Sequence, residues 1–144
     1  MIRVHATCVA LAFPEGYRGV LLRGASGSGK SDLALRLMEA GAALVADDQV
    51  IVERAGGALI ARAPRNLHGR MEVRGVGILP LPALPEAALA LIVDLVPPAE
   101  VPRLPAPRAE NLEGLALPLL ALDAFAASSP AKIRLALAAR DSHS

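Results

Sequence analysis

The chain has 144 residues and a mass of 14.9 kDa, the size of one domain, and 53% apolar against 20% charged residues excludes a disordered body. Fifteen Lys and Arg against 14 Asp and Glu leave a net charge of +1, so the overall balance gives no reason to expect nucleic acid or an anionic membrane as partner. The mean hydropathy of +0.44 is high, but the longest apolar run, residues 87–96, is broken by Asp94 and falls short of the roughly 20 residues of a membrane span, so a soluble protein is expected. The single Cys8 excludes an internal disulfide, and the first residues lack the basic and apolar regions of a secretory leader, which fits the cytoplasm. Three aromatics, Phe13, Tyr17 and Phe125, provide no series of stacking platforms for single-stranded nucleic acid.

In chain order, residues 20–22 read as a short buried strand, 24–31 as a glycine-rich turn and 32–40 as a helix closed by Gly41. Residues 42–46 form a second apolar run that stops at Asp47 and Asp48, and 49–54 with 58–62 flank Gly56-Gly57 as a hairpin, so a mixed sheet is expected. Residues 72–78 read, on their own, as the start of a strand with a bulge. Eight of the 12 prolines lie between Pro80 and Pro107 around one clear strand, 89–96, and this tract is expected to wrap the core because too little chain follows it to fold alone. Apolar residues return at 115–125 and 133–139. The expectation is one domain over 1–140 with a frayed polar tail at 141–144.

The string Gly24-Ala25-Ser26-Gly27-Ser28-Gly29-Lys30-Ser31 satisfies G-x-x-x-x-G-K-[ST]. Chance would supply such a match in about one chain of this length in 200, and here a strand precedes it and a helix follows. That context aims backbone N–H groups and a helix N-terminus at one phosphate site. Lys30, one of two lysines in the chain, is expected at the β- and γ-phosphates, and the Ser31 hydroxyl at Mg²⁺.

Phosphoryl transfer also needs carboxylates to hold the metal and to accept a proton. Asp47 and Asp48 end a buried strand, where ligands of open α/β sheets sit, and so are expected in the same crevice as the phosphate loop. Asp94 lies inside a strand and is expected on a solvated face, and His5 alone carries little information.

Four blocks in order, His5-Ala-Thr-Cys-Val, the loop with Asp32-Leu-Ala-Leu, Leu44-Val-Ala-Asp-Asp48 and Glu72-Val-Arg-Gly-Val-Gly-Ile78, resemble the catalytic domain of the HPr kinase/phosphorylase family. The similarity runs over residues 4–79 and more weakly over 89–96 and 115–137. It implies an α/β fold, a P-loop kinase core with a mixed sheet related to phosphoenolpyruvate carboxykinase. It also implies ATP- and Mg²⁺-dependent phosphorylation of a serine on an HPr-like phosphocarrier of a phosphotransferase system, in a homo-oligomer, often a hexamer. By the resemblance, Asp48 accepts the serine proton with Asp47 beside it, Lys30 steadies the transferred group, Ser31 and Glu72 hold Mg²⁺, and His5 and Arg74 are catalytic-site residues.

Two departures shape the expectation. The His block begins at residue 5, as in short family members without an N-terminal domain, so regulation through such a domain is not expected. Near the C-terminus Ala126-Ala-Ser-Ser-Pro-Ala-Lys132 replaces an Arg-Pro-Gly-Arg-Asn-like loop associated with phosphorolysis, so kinase activity with weak or absent phosphorolysis is expected. The competing readings are a nucleotide-sensing module without phosphoryl transfer and a P-loop kinase for another acceptor. A GTPase is disfavoured because no Asn-Lys-x-Asp is present.

Overall fold

The structure, a computed structural model, describes residues 1–139, so the tail expected at 141–144 lies outside them. The first apolar stretch forms β1 (Ile2–His5) and β2 (Thr7–Phe13), and the chain returns as β3 (Gly16–Arg23). The glycine-rich turn leads into α1 (Lys30–Glu39), then β4 (Ala43–Ala46) and the hairpin β5 (Gln49–Ala55) and β6 (Ala58–Arg62). A second hairpin, β7 (Arg70–Val73) and β8 (Gly77–Pro80), precedes the long β9 (Ala87–Leu95), the pair β10 (Ala109–Leu112) and β11 (Leu115–Leu122), and α2 (Ser129–Ala139).

The large sheet has the order β1-β5-β6-β9-β3-β2-β4, with β11 joining the free part of β9 and β10 joining β11. β9 runs parallel to β3 and β11 while the other pairs are antiparallel, which is the expected mixed sheet. In β2, Cys8 and Ala10 face one apolar cluster and Val9 and Leu11 the other, the period of two that a strand buried on both faces requires. In β9 the phase slips, with Leu89 in the first cluster, Leu91 in the second and Ile92 again in the first. The slip follows from a bulge, because Gly19 pairs with Leu89 but Val20 with Leu91. The curled sheet closes on the first cluster, with Val50, Val52, Leu59 and Ala61 of β5 and β6 facing Leu21 and Ile92. Helices α1 and α2 cover the second through Leu33, Leu37, Ile133 and Leu137.

Helix α1 begins two residues ahead of the expected start because Gly29, at φ +96°, turns the loop directly into it and its carbonyl accepts from the Leu33 N–H at 2.9 Å. At the other end Gly41, at φ +106°, closes it as expected, with the Gly41 and Ala42 amides donating to the carbonyls of Met38 and Leu37. Two local expectations are corrected. Residues 72–78 are the two sides and turn of a hairpin rather than one bulged strand, because the Val76 amide closes back on the Val73 carbonyl at 2.9 Å. The proline-rich tract divides: Leu84 donates to the Leu44 carbonyl and packs on the core, but residues 102–107 are exposed and do not join it. No helix among the described residues is long and apolar enough to cross a membrane.

Candidate active site

The phosphate loop sits at the carboxyl end of β3, between the acids that follow β4 and the turn that follows β11. The N-terminus of α1 points its free amides into this space, and Lys30, buried at 8% exposure, folds its ammonium back to donate to the carbonyls of Gly24 at 2.7 Å and Ala25 at 3.0 Å. A side chain at position 29 has no room, since a Cβ there would lie 2.8 Å from the Ala124 methyl and 2.9 Å from the Phe125 ring. Beneath the loop Arg23 grips Asp94, from Nε at 2.8 Å, and Glu110, and its hydrogen bonds to Glu110, reinforced by its charge, hold that carboxyl below the usual carboxylate range. Asp94 is thereby committed to a half-buried ion pair away from the cleft, and not to an open solvated face.

Sheet register brings the acids to the loop. Cys8 pairs with Ala46, so Thr7 stands opposite Asp47, and the buried Thr7 Oγ1 donates to Asp47 Oδ1 at 3.0 Å. Ser31 Oγ donates to the same oxygen at 2.9 Å, and the Glu72 amide approaches Asp47 Oδ2 at 3.4 Å. Asp47 therefore ties the phosphate loop, β2 and β7 together from a nearly buried position. Its neighbour behaves differently. Asp48 adopts φ +71°, a left-handed conformation that Asp tolerates better than most residues, which turns its side chain out of the strand. His5 pairs with Gln49 in the register of β1 on β5, and this places His5 Nδ1 3.3 Å from Asp48 Oδ1 with both groups more than half exposed.

The cleft between these groups has a volume of about 410 Å³. Of the residues singled out in the sequence, His5, Ser26, Gly27, Gly29, Lys30, Ser31, Asp47, Asp48, Glu72 and Arg74 line it. Gly24 and Ala25 act from behind through their carbonyls, and the buried Ser28 hydroxyl has no hydrogen-bond partner among the described residues. Sequence reasoning gave no role to Thr7 or Phe125, which also line the cleft. Thr7 could have been found from the strand register once β2 was recognised; Phe125 ends an apolar run and carries no local signal. Ser31, Asp47 and Glu72 all line the cleft, and a hydroxyl and carboxylates are the hard oxygen donors that suit Mg²⁺. Among the described residues no three acidic, His or Cys side chains converge as a metal cage, and Mg²⁺ carried by nucleotide phosphates needs only one or two carboxylates.

Residues 2–88, which carry both the phosphate loop and the exposed Asp–His pair, match the family model of the HPr serine kinase C-terminal domain. The chain belongs to this family. Curated HPr serine kinase relatives are 49% identical over 67 residues in Chlorobium phaeobacteroides and 47% identical over 77 residues in Clostridium tetani, both carrying the name HPr kinase/phosphorylase. These matches cover 45% and 54% of this chain but only 21% and 25% of the relatives, so the chain matches about a quarter or less of their length. The solved Hpr(Ser) kinase/phosphatase structure from Coxiella burnetii superposes with a TM-score of 0.82 at 24% identity, covering 98% of this chain and 97% of that one. The mixed, curled α/β fold with a P-loop kinase core is thus the fold of the HPr serine kinase catalytic domain.

Proposed function

We propose that the chain is a single catalytic unit over residues 1–140 that transfers the γ-phosphoryl group of ATP, with Mg²⁺, to a serine of an HPr-like phosphocarrier of a phosphotransferase system. The observation that carries the reading is the exposed Asp48–His5 pair standing across one cleft from the phosphate loop. In that arrangement Asp48 takes the proton of the serine hydroxyl as the serine oxygen bonds to the γ-phosphorus and the bond from that phosphorus to the bridging oxygen of ADP breaks. A positioned base of this kind contributes about 10²- to 10⁴-fold. His5 holds the Asp48 carboxylate in place, and the α1 N-terminus with Lys30 takes up charge on the transferred group. Ser31, Asp47 and Glu72 would hold Mg²⁺, which when bound neutralises phosphate charge. Arg74, on the exposed turn after β7, faces the incoming carrier.

Phosphorolysis of the phosphoserine is weak or absent in this reading, because residues 126–132 offer no arginine to gather inorganic phosphate beside the site. The protein acts in the cytoplasm as a homo-oligomer, hexameric by the resemblance, which sedimentation would measure. The test of activity incubates the protein with γ-labelled ATP, Mg²⁺ and the host's HPr-like carrier. Label on a carrier serine, and little or no pyrophosphate from phosphorylated carrier and inorganic phosphate, is the expected outcome. Bound ATP with an unlabelled carrier would overturn it in favour of a nucleotide sensor or a kinase for another acceptor.

A further inference from the structure

Phe125 is 65% exposed although its neighbour Ala124 is 1% exposed and sits in the core, so the turn sends one aromatic ring out of the fold while burying the residue beside it. That ring lines the cleft and lies over Gly29. An exposed phenylalanine on a loose loop would mean little, but this turn is tied from every side. Arg36 of α1, itself paired with Asp32 at 3.0 Å, donates to the carbonyls of Ala124 and Ala126. Ser129 Oγ donates to the Asp123 carbonyl, and Asp123 Oδ1 accepts the Phe125 amide at 3.0 Å. The backbone that carries the ring is therefore anchored by the same helix whose N-terminus faces the phosphate site.

Strand order says which part of a ligand reaches it. In the sequence β4-β2-β3-β9-β11 the phosphate loop follows the middle strand, the acids follow β4 on one flank, and Phe125 follows β11 on the other. A nucleotide whose γ-phosphate points toward Asp48 must extend its other end away from the acids, toward the β11 side. We propose that Phe125 is the platform on which the nucleobase stacks. This rests on the nucleotide reading above and assigns the base end of that site. The carbonyls of residues 123, 124 and 126 are engaged by Ser129 and Arg36, and what the turn presents to the cleft is the face of the Phe125 ring.

The test compares binding of ATP with binding of inorganic tripolyphosphate, which carries the phosphates without a base, each with Mg²⁺. Wild type binds ATP more tightly than tripolyphosphate; Phe125→Ala loses about 5- to 100-fold for ATP and stays within about twofold for tripolyphosphate, and Phe125→Tyr keeps the wild-type ratio. The chain has no tryptophan, so Phe125→Trp adds a single reporter whose emission ATP changes and tripolyphosphate does not. Equal losses for both ligands in Phe125→Ala, or no loss for ATP, overturn the proposal. So does a wild type that binds both equally, which leaves the phosphate loop reading intact; a wild type that binds neither ligand removes the nucleotide reading and this proposal with it.

Discussion

Replacing Asp47 and Asp48 one at a time with Asn separates two roles that adjacent residues of one type would otherwise share. Asp47 accepts from Thr7 at 3.0 Å, from Ser31 at 2.9 Å and from the Glu72 amide at 3.4 Å. Asn keeps the shape but turns one oxygen into a donor. With its oxygen toward the two hydroxyls, the new amide faces the Glu72 N–H donor to donor. Hydrogen bonds to charged groups carry about 1.5–3 kcal/mol, and the one broken in that orientation is the longest of the three, so a cost of about 1–2 kcal/mol follows. For a domain of this size that lowers Tm by about 3–6 °C. The loss of a carboxylate beside Ser31 also weakens binding of Mg²⁺-ATP while leaving metal-free ATP nearly unchanged. Asp48 has a 65% exposed side chain whose close polar partner among the described residues is His5, so Asp48→Asn shifts stability by no more than about 0.5 kcal/mol. It leaves ATP affinity within about twofold and lowers transfer to the carrier by about 10²- to 10⁴-fold. Thermal melts, calorimetric titration with ATP and labelled-phosphate transfer read the three quantities. Equal Tm losses in the two variants, or transfer by Asp48→Asn within tenfold of wild type, would refute the division.

Three further predictions test other parts of the structure. Burial pushes the Cys8 thiol up to about 12, outweighing a backbone hydrogen bond from Val20, so iodoacetamide at pH 8 leaves the folded protein unmodified and labels it once in denaturant; labelling of the native protein, read by intact mass, contradicts this. Arg23 holds Glu110 below its ordinary value, so on acidification the unfolded chain binds the proton first. The stabilisation is complete above about pH 4.5 and is lost as pH falls toward the lower folded value. The Tm gap between wild type and Glu110→Gln therefore narrows from pH 6 to pH 3, and a constant gap would falsify the pairing. Ile133 of α2 is fully buried with Leu33 and Leu37 of α1, so Ile133→Ala costs about 2–4 kcal/mol within a single cooperative transition. A separate early transition in urea would show that α2 does not share the core.

The phosphate loop, the helix after it and the acids at the end of β4 were legible in the sequence because each depends on near neighbours. Glycine at 29 and 41 is required by local backbone geometry, the lysine and serine act within one turn of the loop, and an apolar run ending in Asp47-Asp48 marks a strand end wherever that strand lies. The family blocks added His5, Glu72 and Arg74, whose own surroundings in sequence say nothing of a shared cleft. Only the tertiary structure decided what joins what. Strand register, set by bulges and by which faces are buried, places Thr7 against Asp47 and His5 against Asp48 from positions 40 or more residues apart. The left-handed turn at Asp48 splits an Asp pair that is chemically equivalent on paper into one buried tie and one exposed carboxylate facing the cleft. Strand order places Phe125 beside a loop about 100 residues earlier, because a parallel strand added next to β9 puts the turn that follows it at the same end of the sheet.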